Sequence, residues 1–408
     1  MSSTLDVAYN SIQHSFETAS IRTSQSSSNY KTYVSSSSIS FETESHSTSE
    51  DIPTDSWLID LESKLSNDAV YDEFNSIPSC RLNRFNEDGR QSENSYRNRY
   101  IDVIPYNDTR VRLIPTRDNP YGYINASHVK FGIENTVYSY IATEFPLLLT
   151  IADFWRMIFD YNVRVIVMLL GDNEIQLGTN YFPKIKDRKY RTEHFEIELI
   201  SEKNHRDFYL RQLTIKNLHA HETRSIAHLQ YSIWNQKQLP LDTLSFLKFI
   251  NLVDSFRRHY GETLPCVIHC TAGIGRTGMF ILLHLMIQCI TFNKKSSVAN
   301  VLKVMREYRM SFVDRTHFYI FVYRCLIQIK PRLLTVRKGN FFRTNVRHLH
   351  SYSQNRRANA KHRLDEVMHD TLLIIKSYFP SYATKQAKSG LQIGLGRRYM
   401  NSTVPTST

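Results

Sequence analysis

No stretch of the sequence approaches the ~18–20 uninterrupted apolar residues that a membrane-spanning helix requires. Val163–Leu170 is short and carries Arg164, and Met279–Ile290 is broken by His284. The opening Met1-Ser2-Ser3-Thr4-Leu5-Asp6 lacks the basic-then-apolar layout of a signal peptide. Cysteine is scarce. Cys80, Cys266, Cys270, Cys289 and Cys325 form an odd number at irregular spacing, which argues against a disulfide framework. No Cys-x-x-Cys pair suggests zinc, and there is no internal repeat. The expectation is a soluble protein of a reducing compartment, cytoplasmic or nuclear, using neither metal nor cofactor.

What is present is a chain of 408 residues, 41% hydrophobic, with 24 Tyr and 22 Phe, enough to fill a large aromatic core. Its net charge of +12 is unevenly spread. Residues 1–55 hold two basic side chains, Arg22 and Lys31, against seven acidic ones. Residues 331–408 hold fourteen Lys and Arg against Asp365, Glu366 and Asp370. Residues 1–55 are rich in Ser and Thr, as at Ser24–Ser28 and Ser35–Ser40, and can bury little surface, which predicts disorder. An amphipathic stretch at Trp57-Leu58-Ile59-Asp60-Leu61 opens the folded part. Residues 56–330 then read as a single domain, and 331–408 as a basic extension.

Within the domain, strand-like runs alternate with helical periods. Val163–Leu169 reads as a buried strand preceded by an amphipathic helix, Ile151–Asp160, with Phe154, Trp155 and Ile158 on one face. Phe195–Leu199 and Tyr209–Leu213 alternate like half-buried strands, and Leu244–Phe256 has a helical period. Cys266-Val267-Ile268-His269 is a short strand running into a glycine-bearing turn, with a helix from Arg276 onward.

That strand–turn–helix holds the densest chemistry in the chain: His269-Cys270-Thr271-Ala272-Gly273-Ile274-Gly275-Arg276-Thr277-Gly278. Gly273 and Gly275 allow backbone N–H groups to converge on an anion, and the following helix adds its positive end. Thr271, Ala272, Gly273, Ile274 and Gly275 would thus line a phosphate cradle. Arg276, six positions after Cys270, has a planar fork suited to two phosphoryl oxygens. The same positive field favours the Cys270 sulfur as a nucleophilic anion. His269 can buttress the loop, and Thr277 can donate its hydroxyl to the sulfur. The bland reading, a structural cysteine beside an ordinary turn, must account for ten consecutive positions that fit one task.

The loop resembles the signature of the phosphotyrosine-specific protein tyrosine phosphatases, and the likeness runs from about Tyr96 to Leu326. Arg97-Asn98-Arg99-Tyr100-Ile101-Asp102-Val103 is similar to the family's substrate-recognition loop. The resemblance implies that Tyr100 flanks the phosphotyrosine ring and that Asp102 accepts hydrogen bonds from the substrate backbone. Tyr123–Ser127, Tyr140–Thr143, Asp153–Met157 and Val163–Met168 resemble further family blocks. The chain also resembles the divergent phosphatases of insect-associated viruses of the polydnavirus type. The implied fold is α/β: a highly twisted mixed sheet flanked by helices, one domain between a disordered N-terminal and a basic C-terminal extension. The implied partners are phosphotyrosine proteins.

The pattern also breaks. Where the family carries Trp-Pro-Asp with its general acid, this chain reads Trp234-Asn235-Gln236, so Gln236 stands at the acid's position. A tyrosine leaving group has a pKa near ~10, and losing general-acid help costs ~10²–10⁴-fold. Aligned to the family segment that positions the hydrolytic water, Val313–Tyr323 places Phe318 at the glutamine and replaces another Gln and a Thr by Asp314 and Arg315. Glu144-Phe145-Pro146 departs from Gln-Gly-Pro. Asp242 and Asp314 are the candidate substitute acids. Three functions stay open: a phosphotyrosine binder with impaired or lost dephosphorylation, an active phosphatase working through a Cys270 phosphocysteine, and a scaffold acting through its tail. In that tail Arg337-Lys338, Arg343, Arg347, Arg356-Arg357 and Lys361-His362-Arg363 could meet an anionic partner, nucleic acid or lipid. They could equally serve nuclear import or be simply solvated. Leu364–Tyr378 has a moderately amphipathic helical pattern.

Overall fold

The computed structural model describes residues 54–337, apart from 84, 176–179, 235–239, 241 and 293. The expectations for the serine-rich extension before residue 54 and for the tail beyond 337 lie outside that range.

Among the described residues, nine strands form one mixed sheet. They are β1 (Arg110–Arg112), β2 (Tyr123–Ile133), β3 (Thr136–Glu144), β4 (Val165–Met168), β5 (Lys189–Arg191), β6 (Phe195–Asn204), β7 (Phe208–Asn217), β8 (Thr223–Tyr231) and β9 (Cys266–Cys270). Their order across the sheet is β1-β2-β3-β9-β4-β8-β7-β6-β5. The centre is parallel, with β9 between β3 and β4 and β8 beyond β4, whereas the flanks are antiparallel. A central parallel strand is covered on both faces, so it reads as continuously apolar rather than alternating. β4 obeys this: Val165 and Val167 join one buried cluster while Ile166 and Met168 join the other.

The principal helices are α1 (Thr54–Ser66), α2 (Ala69–Ser76), α3 (Ile151–Asp160), α4 (Thr243–Tyr260), α5 (Gly275–Thr291), α6 (Val298–Tyr308) and α7 (Thr316–Arg337). The amphipathic period expected for residues 151–160 is α3 itself, which seals one sheet face with Phe154, Trp155, Met157 and Ile158. On the other face α5 is buried on all sides, from Met279 to Met286, as expected of a helix that is apolar all round. Asp242 caps α4, its carboxylate accepting from the Leu244 amide at 2.9 Å. α7 runs to Arg337, past the expected domain limit at 330. Among the described residues no helix is long and apolar enough to cross a membrane.

The amino-terminal helices clasp the last one. Glu73 on α2 accepts from the Tyr319 hydroxyl (2.6 Å) and the Tyr323 hydroxyl on α7, and from Lys64 Nζ (2.7 Å) on α1. The Arg306 guanidinium donates to the carbonyls of Ile77 (2.8 Å) and Pro78 (3.1 Å). Removing one partner from a half-buried network leaves the others unsatisfied, which costs about 1–3 kcal/mol per group. Glu73→Ala should therefore lower unfolding stability by ~1–3 kcal/mol in urea titrations, and Glu73→Gln by less. An unchanged midpoint for Glu73→Ala would show that the clasp contributes nothing.

Candidate active site

β9 ends at Cys270, and α5 begins at Gly275, so four residues turn between the carboxyl end of the central strand and a helix amino terminus. In open α/β sheets that is where ligands bind. The turn is held from behind by its carbonyls. Thr271 O accepts from the Phe145 amide (3.1 Å), and Ile274 O from the amides of Gly278 (2.9 Å) and Val313 (3.2 Å). Ala272 O and Gly273 O accept from Nη2 (3.1 Å) and Nε (3.0 Å) of Arg309. Because each peptide unit is planar and trans, four carbonyls turned into the protein direct the amides of residues 272–275 the other way, into the hollow. Gly273 sits at φ 70°, and any Cβ there would collide with Thr143 O. Only glycine fits that position.

Cys270 is buried, and its Sγ accepts from the Thr277 hydroxyl at 3.2 Å. His269 points to the opposite sheet face. Its Nε2 lies 2.8 Å from the Tyr181 hydroxyl, which also lies 2.6 Å from His228 Nε2, and Phe145 stacks on its ring. Burial drives His269 down to about 3, so it stays neutral and acts as a brace.

Arg276 is bound more tightly than its sequence position implied. It makes a bidentate pair with Glu174, Nη1 to Oε2 at 2.7 Å and Nη2 to Oε1 at 2.8 Å, and Nη1 also donates to Leu169 O at 3.0 Å. Three of five N–H groups are thereby engaged, which keeps the Nε side of the fork for an anion. Its Cζ lies 5.2 Å from the ring centre of the buried Trp234. Glu174 occupies a single helical turn, Asp172–Ile175, and also accepts from the Gly171 amide at 3.0 Å.

The expected recognition segment is tied to the same turn. Asn125 Oδ1 accepts from Arg309 Nη2 (2.7 Å), while Asn125 Nδ2 donates to Asn98 Oδ1 (2.9 Å) and to Val103 O (2.7 Å). Arg99 N donates to both Glu144 oxygens (3.1 and 3.0 Å), and Glu144 lies opposite Cys270 in the β3–β9 register. Tyr100 and Asp102 are exposed on this tethered segment. Phe318 is buried, 6.2 Å from Trp234 between ring centres, and packs with the Asp314 carboxylate against Gly275. Asn235 and Gln236 lie outside the described residues. Among the described residues no group of three or more His, Cys, Asp and Glu gathers to hold a metal ion.

Residues 94–328 match the family model for the protein-tyrosine phosphatase domain. The chain belongs to the protein tyrosine phosphatase family. Mouse tyrosine-protein phosphatase non-receptor type 14 is 35% identical over 289 residues, covering 68% of this chain and 24% of that protein. Rat non-receptor type 21 is 36% identical over 284 residues, 66% of this chain and 24% of that protein. Human non-receptor type 20 is 32% identical over 280 residues, 68% of this chain and 64% of that protein. The chain thus spans about a quarter of the length of the first two. Within the phosphatase domain, Glu174 and Arg309 are the site residues that sequence reasoning missed. Neither sits in a local pattern, since their partners are 102 and 184 residues away.

Glu144 generates a pH dependence. Burial pushes its carboxyl up to about 8, against the hydrogen bond from Arg99 and the charges of Arg309 and Arg99. A folded-state pKa above the unfolded value near ~4.3 means that its contribution is complete below that value and is lost as pH rises through about 8. Glu144→Gln should remove this loss, leaving the variant more stable than the parent above pH ~8 by on the order of a few kcal/mol. Denaturant midpoints across pH 5–9 check it. Parallel curves for the two proteins would exclude the effect.

Proposed function

We propose that this protein binds phosphotyrosine in proteins or peptides through the Cys270–Arg276 turn and dephosphorylates it poorly or not at all. The observation that carries the binding half is the set of four carbonyls at Thr271, Ala272, Gly273 and Ile274 turned away from the hollow into the protein, which aims the intervening amides at one anion. The phosphoryl oxygens would take those amides and the Nε side of Arg276, with Cys270 Sγ beneath the phosphorus. Tyr100 and Asp102, tethered through Asn98 and Glu144, would flank the aromatic ring and the peptide backbone. The similarity to tyrosine-protein phosphatases supports this choice of ligand.

The impaired half of the reading rests on Gln236 at the general-acid position. A carboxamide donates a hydrogen bond but gives up no proton, so the departing tyrosinate leaves unprotonated, at a cost of ~10²–10⁴-fold. Asp242 is spent on capping α4, which argues against it as the replacement acid.

Vanadate and a phosphotyrosine peptide should bind the full-length protein, and Arg276→Ala should weaken both by at least ~10²-fold, since charged hydrogen bonds contribute about 1.5–3 kcal/mol each. Arg276→Lys, which keeps charge without the fork, should fall between. Equal affinity in Arg276→Ala would overturn the binding site and favour the tail scaffold. Gln236→Asp combined with Asn235→Pro should raise phosphotyrosine turnover ~10²-fold or more. An unmodified protein already working at ~1–10³ s⁻¹, the ordinary enzymatic range, would overturn the impaired reading.

A further inference from the structure

The segment after α6 is the most contorted part of the site. Ser311 and Val313 both have positive φ, 56° and 55°, although Val313 is β-branched and Ser311 is no glycine. A β-branched residue enters left-handed backbone only when its surroundings force it, and such strain concentrates at functional positions. The forcing is visible. Arg306 donates from Nε to Phe312 O (3.0 Å) and from Nη2 to Val313 O (3.1 Å). The Ser311 amide donates to Ser79 O (2.7 Å), and the Val313 amide to Ile274 O in the phosphate turn (3.2 Å). Gly278 makes room for the approach, since a Cβ there would stand 2.6 Å from the Val313 nitrogen.

The product of this bracing is the placement of Asp314. Its Oδ1 occupies the space that a side chain at Gly275 would need, directly against the turn that ends in Arg276. Burial raises its pKa, opposed by the charges of Arg315 and His317 on its own turn and of Arg276 across from it. Arg306 on α6 also faces it. About 30% of its side chain remains open to solvent, and its nearest cationic partner, Arg315, is 3.8 Å away and well exposed. A carboxylate held at the rim of an anion hollow, wet on one edge, can meet both a water and a bound phosphoryl group.

We propose that Asp314 is the general base that hydrolyses the phosphocysteine formed on Cys270. The inference rests on the reading of Cys270 as the phosphoryl acceptor. The water oxygen forms the new P–O bond as the P–S bond breaks, and the sulfur keeps the electron pair as thiolate. One water proton passes to the Asp314 carboxylate, the other stays on the released inorganic phosphate, and Asp314 returns its proton to solvent through its open edge. This restores to the second step the base lost with the carboxyl group at the Gln236 position. The defect is then confined to the first step.

An aryl phosphate with an acidic leaving group bypasses the missing acid and isolates the second step. p-Nitrophenyl phosphate is mixed rapidly with the full-length protein and with Asp314→Asn, Asp314→Glu and Cys270→Ser. The unmodified protein should show little burst and a phosphate release that rises with pH as Asp314 ionises. Asp314→Asn, isosteric but not basic, should give a stoichiometric nitrophenolate burst, then release slowed by ~10²-fold or more with that pH dependence gone. Asp314→Glu should recover part of the rate, Cys270→Ser should give no burst, and vanadate affinity unchanged in Asp314→Asn certifies an intact hollow. Breakdown of equal rate and equal pH profile in Asp314→Asn overturns the proposal. So does the absence of any phosphocysteine in every form, while vanadate binding decides phosphotyrosine recognition separately.

Discussion

Arg309 is wholly inaccessible to solvent, and its guanidinium reaches Gly273 O, Ala272 O, Ser127 Oγ and Asn125 Oδ1. A buried cation with no carboxylate partner is costly unless its donors are all matched to acceptors held in place. Here the acceptors are two turn carbonyls and two side chains on β2, so the cation can be satisfied only if the turn directs its carbonyls into the protein. Through Asn125 the same cation fixes Asn98, and with it the segment bearing Tyr100. The hollow and its approach are therefore parts of a single hydrogen-bonded assembly.

The charges around the hollow are arranged so that it stays attractive to an anion. Arg276 is paired with Glu174, a buried carboxylate that orients the fork and offsets part of its charge. A second carboxylate, Glu144, lies behind the turn, but burial lifts it to about 8, so near neutrality it carries a proton and adds little repulsion. What remains for a ligand is the Nε side of Arg276, the aligned amides and the amino end of α5, with Arg309 adding its charge from behind the turn.

Much of this was legible in the sequence because it is local. The turn after β9 lies within ten consecutive residues, the apolar run at 163–169 contains the doubly covered strand Val165–Met168, and the period at 151–160 matches α3 residue for residue. β8 was not legible, since Thr223–Tyr231 buries His228 and Gln230 as well as Ile226 and Leu229. Those polar side chains are acceptable inside because Tyr181, Arg211 and Leu170 O answer them from distant positions. Glu174 and Arg309 were hidden for the same reason. A lone charged residue announces a site only when its partner is known, and three-dimensional closure supplies the partner.

The order of these residues along the chain has a biosynthetic consequence. Synthesis proceeds from the amino terminus, and domains settle as units once their parts are available. Cys270 is made before Arg309, before the strained turn at Val313 and before α7, which α1 and α2 clasp. A nascent chain ending shortly after Cys270 has the thiol but neither the cation that shapes its turn nor the helix that closes the core. The Cys270 thiol thus gains the surroundings described above only in the finished domain.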